Sequence, residues 1–282
     1  MVTDTAFVKS ALPVIPAAAH KYMRGHLVVL AGSEGMAGAL ILSLSAALRA
    51  GAGFITALVP ESIYGIAAPV LPEVVFRIYR DHDSESLRKI AAPVMEVADA
   101  MVTGPGLGEM KEAALTLSSA FKGKLLLDAD ALTALSEKED MTFCSSDVVL
   151  TPHEGEMARL LHTDTAAVRE DREKSAALCA AKYHAAVLLK GKNTLIAKEG
   201  KDFFMNETGN PGLARAGSGD ALSGIIGALM AEGESAFDAA VSGAFIHGKA
   251  AEKAAVRMSL RSMRVTDVID DIPAVFREIE GF

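Results

Sequence analysis

The sequence predicts a single α/β domain in which one mostly parallel sheet carries helices on both faces. Two observations support this prediction. Short apolar segments alternate with helical ones along all 282 residues, and several of the apolar segments run directly into a glycine-rich loop. No internal repeat or linker interrupts the alternation, so we expect residues 1–282 to form one doubly wound domain.

Composition disfavours a nucleic-acid or membrane protein. The chain is 50% hydrophobic with a formal net charge of −8, and it has no basic stripe, so nucleic-acid binding is not expected. The longest apolar stretch, residues 38–60, contains Arg49 and breaks at the AGAG of residues 50–53, which favours a buried helix and strand over a membrane span. Since the first residues lack a signal-peptide pattern, we expect a cytoplasmic protein without a membrane partner.

The first elements open a βαβ unit. About two dozen irregular residues precede a strand at 27–31, a glycine loop at 32–38, a helix over about 39–50 and a second strand at 54–59. The loop lacks the G-x-G-x-x-G spacing, and no acidic residue follows at the distance that a dinucleotide fold needs. A Rossmann dinucleotide site is therefore disfavoured.

The middle of the chain repeats the strand and loop pattern. A strand at 100–103 ends in the glycines of 104–108, where a ligand can approach the backbone closely. A helix over 110–121 then precedes a strand at 124–127, which runs into Asp128 and Asp130. These two aspartates suit either a metal or ribose site or the cap of the next helix, and capping is the commoner use.

The next strand, 148–150, leads into a histidine at a strand-to-helix junction. Pro152 ends the strand, and Glu154 and Glu156 favour a helix start. His153 is the histidine that we predict to be functional. The remaining elements are a long helix at 165–183, a strand at 186–190, a hairpin over 190–197 that continues into 202–205, and terminal helices over about 235–258 and 266–280.

The stretch GNPGLARAGSGD, from Gly209 to Asp220, is the strongest candidate for chemistry. Its Gly-Ser-Gly turn at 217–219 opens into an apolar helix, so several backbone N–H groups lack intrahelical partners. The helix dipole adds partial positive charge there, which suits a phosphate. Asp220 would then accept the proton of an attacking hydroxyl; the alternative is that it only caps the helix.

The candidate residues all follow strands. The loops at 32–38 and 104–108, together with His153 and Asp220, are therefore expected to converge on the carboxyl rim of the sheet. This convergence is a stronger indication of a functional site than any single motif.

Six motifs in order resemble the ADP/ATP-dependent NAD(P)H-hydrate dehydratases, a branch of the ribokinase-like superfamily. The motifs are GSEGMAGA, TGPGLG, DADAL, LTPHEGEMARL, LLKGKNTLIA and TGNPGLARAGSGD, spanning about residues 25–230. The resemblance implies a three-layer αβα sandwich and the repair of hydrated NADH and NADPH (NADHX and NADPHX). The terminal phosphate of ADP, or of ATP in eukaryotic members, goes to the hydrate's hydroxyl. Elimination of phosphate then restores NAD(P)H, leaving AMP when ADP is the donor.

The resemblance also assigns residues. Ala39, Gly106, His153 and Asp220 would contact the hydrate, with Asp220 as the base and with the amides of Gly217, Ser218 and Gly219 as the anion hole. Lys190, Gly191, Lys192, Asn193, Thr194 and Gly219 would hold the nucleotide. Glu156 stands where sugar kinases of the superfamily carry the glutamate of an N-x-x-E motif, so it either organises Mg²⁺ through water or caps a helix.

Two features depart from the family pattern. Leu213 is a volume-conserving change, but Arg215 and Ala216 replace a threonine and a small residue, and Arg215 either adds a cation near the phosphates or faces solvent. Many bacterial members also carry an N-terminal epimerase domain, so we expect a separate epimerase to act on the same substrate pool. A homotetramer is the family expectation for the assembly.

Two other functions compete with this interpretation. A ribokinase-like kinase acting on a vitamin-precursor alcohol would share the fold and the aspartate base, but TPHEGEM and GMAGA argue against it. A non-catalytic nucleotide-binding regulator would be favoured by an altered base, whereas Asp220 and its glycines are intact.

Overall fold

The computed structural model describes residues 1–16, 18–21 and 23–281, and the described part contains one nine-stranded sheet. Its strands are β1 His26–Leu30, β2 Phe54–Pro60, β3 Val75–Tyr79, β4 Ala100–Thr103, β5 Lys124–Leu127, β6 Val148–Leu150, β7 Ala186–Leu189, β8 Thr194–Ala197 and β9 Phe204–Asn206. They lie in the order β3-β2-β1-β4-β5-β6-β7-β8-β9. The first seven pair in parallel, and β8 and β9 add an antiparallel edge.

Helices cover both faces of this sheet. They are α1 Thr5–Ala11, α2 Ala37–Arg49, α3 Glu61–Ala67, α4 Ser84–Met95, α5 Lys111–Ser119, α6 Asp130–Ser136, α7 Glu154–Leu160, α8 Thr165–Glu170, α9 Arg172–Tyr183, α10 Ser218–Glu232, α11 Ala236–Met258 and α12 Val265–Glu280. Helices α1–α3 and α10–α12 pack against one face of the sheet in a first buried apolar cluster. Helices α4–α9 pack against the opposite face in a second cluster. This arrangement confirms the predicted αβα sandwich with a mostly parallel sheet.

The central strands are apolar on both sides, as a sheet between two helical layers requires. In β1 every residue is buried; Leu27 and Val29 pack into the first apolar cluster, and Val28 and Leu30 into the second. Because both faces are covered, the strand reads as a continuous apolar run and does not alternate. Within the described ranges, no helix combines the length and the apolar character needed to cross a bilayer.

Three local predictions were incomplete. The lead-in, predicted to be irregular, contains helix α1, because Asp4 accepts a hydrogen bond from the Phe7 N–H at 2.8 Å and so caps this helix. Residues 17 and 22 of the lead-in lie outside the described part. Strand β3 was not predicted. The helix expected over 165–183 is two helices, because Asp171 has extended backbone angles and its side chain caps α9 through the Lys174 N–H.

Helix α10 is held against α2 by a backbone contact that only glycine permits. A Cβ on Gly224 would lie 2.0 Å from the carbonyl oxygen of Ser43. One turn earlier, the Ser43 hydroxyl donates to the carbonyl oxygen of Asp220 at 2.9 Å. The two contacts together fix where α10 begins relative to the rim of the sheet.

Replacing Gly224 by alanine is expected to lower the free energy of unfolding by about 2–3 kcal/mol, because the added methyl group forces the helices apart. Gly65→Ala is the matched control: this exposed glycine lies in α3, and a Cβ there would meet nothing within 4 Å. The control should be neutral or stabilising by up to about 1 kcal/mol, since alanine favours helix. Urea unfolding of both variants measures the difference, and equal stabilities would contradict this account of the contact.

Candidate functional site

The loops at the carboxyl ends of the parallel strands contact one another directly. The Gly32 N–H, after β1, donates to the Pro105 carbonyl, after β4, at 2.8 Å. The Lys190 N–H, after β7, donates to the Pro152 carbonyl, after β6, also at 2.8 Å. The loops after β1 and β4, and those after β6 and β7, are therefore joined in pairs at the carboxyl edge of the sheet.

Lys190 is the cation at the centre of this rim. Its Nζ lies 2.8 Å from Oδ1 of Asp128 and 3.7 Å from Oε2 of Glu156, and both carboxylates are buried. Burial alone would lower the pKa of Lys190, but the charges of Asp128 and Glu156 outweigh it and raise the pKa. The ammonium group therefore stays charged at neutral pH.

Asp128 does not cap a helix, contrary to the commoner use of such a residue. Ala129 occupies the N-cap position of α6 with a positive φ of 48°, and no side chain bonds there. The carboxylate of Asp128 instead accepts from Lys190 and, at 2.8 Å, from the Ser223 hydroxyl on α10. Asp130 also does not cap α6, because its Oδ2 accepts from the Gly108 N–H at 2.9 Å.

The start of α10 faces this lysine. Gly217 is the N-cap residue with a φ of 91°, which glycine adopts without strain. A Cβ on Gly219 would lie 3.4 Å from the Lys190 Nζ, so the first turn of the helix lies against the ammonium. The Ser218 N–H donates to the Arg215 carbonyl at 3.3 Å. This turn therefore brings a helix N-terminus and a partly buried cation together, which suits an anionic ligand.

Asp220 lies in the first turn of α10 and is not its N-cap residue. Desolvation by burial, and then the charge of Asp128, raise the pKa of Asp220 to about 6, although Lys190 opposes the change. A carboxylate with a pKa near neutrality can accept a proton and release it again under ordinary conditions. The site therefore provides a group suited to general base chemistry.

His153 and Glu156 form the N-terminal cap of α7. The His153 Nδ1 accepts from the Gly155 N–H at 2.9 Å, and the Glu156 Oε2 accepts from the His153 N–H at 2.8 Å. The His153 ring remains 56% exposed, and its Nε2 lies 3.7 Å from the Glu156 Oε1. In the described part of the chain, no group of three or more His, Cys, Asp or Glu side chains is placed to hold a metal ion by itself.

Ala39, near the start of α2, and Gly106, in the loop after β4, lie close together. A Cβ on Gly106, whose φ is 62°, would lie 3.1 Å from the Cβ of Ala39. The neighbouring Gly104 is required by close packing, because a Cβ there would lie 1.8 Å from the Asp128 carbonyl oxygen. The two glycine loops and the Asp128 segment are thus one packed unit.

The loop of residues 190–194, with sequence KGKNT, is held by Arg172. Its guanidinium donates to the carbonyl of Lys192 at 3.0 Å and to that of Leu189 at 3.2 Å. Within the loop, the Thr194 hydroxyl donates to the Gly191 carbonyl at 2.9 Å, and Asn193 has a φ of 55°. These bonds leave the loop in one defined conformation at the rim.

Arg215 lies outside the buried part of the site. It is exposed, and its guanidinium donates to the Arg261 carbonyl at 2.5 Å, in the connection between α11 and α12. The side chain thus ties the glycine-rich segment to that connection.

Sequence alone did not reveal Arg172 and Ser223. Arg172 stands at the start of a helix that was predicted to be continuous, so its position near the loop was hidden. Ser223 falls three residues after Asp220, and this spacing on a helix was the one available indication that the two share a face.

The sheet order and the helices on both faces define an α/β protein with the ribokinase-like fold. A model of the NAD(P)H-hydrate dehydratase family matches residues 27–274. The chain belongs to this family.

Individual relatives agree with that assignment. The chain is 39% identical to the ADP-dependent (S)-NAD(P)H-hydrate dehydratase of Neisseria meningitidis serogroup B, over 83% of this chain and 78% of the relative. The crystal structure of the ADP/ATP-dependent NAD(P)H-hydrate dehydratase of Bacillus subtilis, co-crystallised with ATP and Mg²⁺, superposes with a TM-score of 0.87 at 29% identity, covering 98% of this chain and 97% of that one.

The family also contains longer proteins. The bifunctional NAD(P)H-hydrate repair enzyme of Moorella thermoacetica is 39% identical over 98% of this chain but only 53% of its own length. The chain thus spans about half the length of the bifunctional relatives that it matches.

Proposed function

We propose that the chain catalyses the ADP-dependent dehydration of NADHX and NADPHX, giving NAD(P)H, AMP and phosphate. The observation that carries this proposal is that Asp220, whose pKa is raised to about 6, lies near a charged Lys190 at the start of α10. A base and an anion-binding helix start are the two groups that phosphoryl transfer to a hydroxyl needs. Membership of the dehydratase family supports the choice of substrate.

In the proposed reaction, Asp220 accepts the proton of the hydrate's hydroxyl as its oxygen attacks the terminal phosphorus of ADP. The bond from that phosphorus to the bridging oxygen breaks, and AMP leaves with the bonding electrons. Lys190 and the amides of Gly217 and Gly219 stabilise the negative charge on the phosphoryl oxygens. The amide of Ser218, the third predicted donor, already donates to the Arg215 carbonyl at 3.3 Å and would have to leave that bond to take part. Loss of phosphate from the ring carbon, together with loss of a proton from the adjacent ring carbon, then forms the ring double bond and restores NAD(P)H.

The remaining residues bind and orient the two substrates. We propose that Ala39, Gly106, His153 and Asp220 contact the hydrate, where the two glycine loops and the exposed His153 ring lie at the rim. The loop of residues 190–194, held by Arg172, and Gly219 would hold the nucleotide. Backbone groups would make most of the contacts with the nucleotide.

We propose Mg²⁺ as the accompanying ion, with Glu156 organising it through water. A buried carboxylate at the rim, together with the phosphates of a nucleotide, fits the way in which proteins commonly bind this ion. When bound, the ion neutralises phosphate charge. Since the Glu156 Oε2 already caps α7, contact through water fits this residue better than direct coordination.

The family resemblance leads to further proposals about the working protein. We propose that residues 1–282 act as one domain, and that a separate epimerase acts on the same substrate pool. The bifunctional relatives support a link between epimerisation and dehydration. The homotetramer and the cytoplasmic location stay predictions.

The proposed function is tested by the absorbance at 340 nm of the protein mixed with NADHX, Mg²⁺ and either ADP or ATP. We expect the absorbance to rise with ADP, together with the release of AMP and phosphate in equal amounts. A rise with ATP alone would contradict ADP as donor. A flat trace with both donors and intact hydrate would contradict the function and favour a kinase acting on a vitamin-precursor alcohol.

Replacing Asp220 by asparagine should remove turnover while leaving nucleotide binding intact. The amide keeps the shape of the side chain but cannot accept the proton, so we expect kcat to fall by a factor on the order of 10² or more. Asp202→Asn, at an exposed turn residue, is the matched control and should behave as wild type. The test is to measure kcat and the Kd for ADP in both variants and in wild type. Wild-type turnover in Asp220→Asn would show that this residue is not the base.

A further inference from the structure

Asp128 is a buried carboxylate that the proposed reaction does not use. It is 1% exposed, and side chains from two other elements bind its two oxygens. Lys190, after β7, donates to Oδ1 at 2.8 Å, and Ser223, on α10, donates to Oδ2 at 2.8 Å. A carboxylate with both oxygens bound in this way has a fixed position and orientation.

The arrangement decides which carboxylate pairs with Lys190. Glu156 is further from the ammonium than Asp128, at 3.7 Å against 2.8 Å. Asp220 is close enough for its charge to act on Lys190, yet no described residue donates a hydrogen bond to the Asp220 carboxylate. The ammonium is therefore bound to Asp128, and the base remains unpaired.

We propose that Asp128 is a positioning residue: with Ser223 it holds the Lys190 ammonium at the start of α10, where it meets a phosphoryl group without forming an ion pair with Asp220. This inference rests on the proposed function for its kinetic consequence. The contact between Gly219 and the lysine supports it, since a Cβ at Gly219 would lie 3.4 Å from Nζ and 3.7 Å from the Asp128 Oδ2.

The charged groups around Asp220 define what the loss of the Asp128 charge would do. The charges that act on Asp220 are Asp128 after β5, Lys190 after β7 and Asp130 on α6, and Glu156 on α7 acts on Lys190. In Asp128→Asn the side chain keeps its size, but the negative charge is lost and Lys190 becomes free to pair with Asp220. Both changes favour the ionised form of Asp220 and make it a weaker base.

The kinetic test compares Asp128→Asn with wild type and with the Asp202→Asn control. We expect kcat to fall by roughly 10–100-fold, while the KM for ADP changes less than about threefold. The acidic limb of the pH profile of kcat should move down by about one pH unit or more. A defect in folding alone would reduce the active fraction without moving this limb.

A second measurement does not depend on turnover. Titration of ¹³C-labelled aspartate carboxyls, with Asp220 assigned by comparison with Asp220→Asn, gives the pKa of Asp220 in each protein. We expect a lower pKa in Asp128→Asn than in wild type. If NADHX is not a substrate but this pKa falls, the proposed function fails and the positioning role stands; an unchanged pKa in folded Asp128→Asn overturns the positioning role.

Ser223→Ala covers the case in which Asp128→Asn does not fold. It removes one of the two groups that hold Asp128 but keeps every charge, so we expect a smaller fall of the Asp220 pKa in the same direction. Ser242→Ala is the matched control, because this fully buried hydroxyl on α11 makes no hydrogen bond to Asp128 or Lys190 in the described structure. A Ser223→Ala protein with the same Asp220 pKa as the control would overturn the proposal.

Discussion

The site depends on one partly buried ammonium group placed among three carboxylates. Lys190 contacts Asp128 and Glu156 and lies beside Asp220, and these residues come from four separate connections of the fold. Burial, and then the negative charge of Asp128, raise the pKa of Asp220, although Lys190 opposes the change. Asp220 lies in the first turn of α10, next to the glycine turn that suits an anionic ligand.

The fold supplies the rigidity that this charge balance needs. Parallel strands bring their carboxyl ends to one rim, and short backbone bonds join the neighbouring loops there. Gly224 lets α10 approach α2 closely, and Ser43 holds the backbone at Asp220. A shift of α10 by even an ångström would change the distance between Asp220 and Lys190. The stability of the helix pair and the acidity of the base are therefore linked.

Much of the fold could be predicted from the sequence, because alternation of apolar strands and helices and the glycine loops are local patterns. The edge strand β3 was missed, since only part of it is buried and its apolar pattern is weak. The break at Asp171 was missed because a single capping aspartate does not interrupt helical periodicity. The ion pair of Asp128 with Lys190 joins residues 62 positions apart, and no local pattern encodes such a contact.

The central claim is that the hydrate's own oxygen becomes bonded to phosphorus before it leaves the ring. The direct measurement uses NADHX carrying ¹⁸O in its hydroxyl group, incubated with the protein, ADP and Mg²⁺, followed by mass spectrometry of the released phosphate. The account predicts that the label appears in phosphate, because the carbon–oxygen bond breaks after phosphoryl transfer. Unlabelled phosphate, with the ¹⁸O recovered in water, would contradict it.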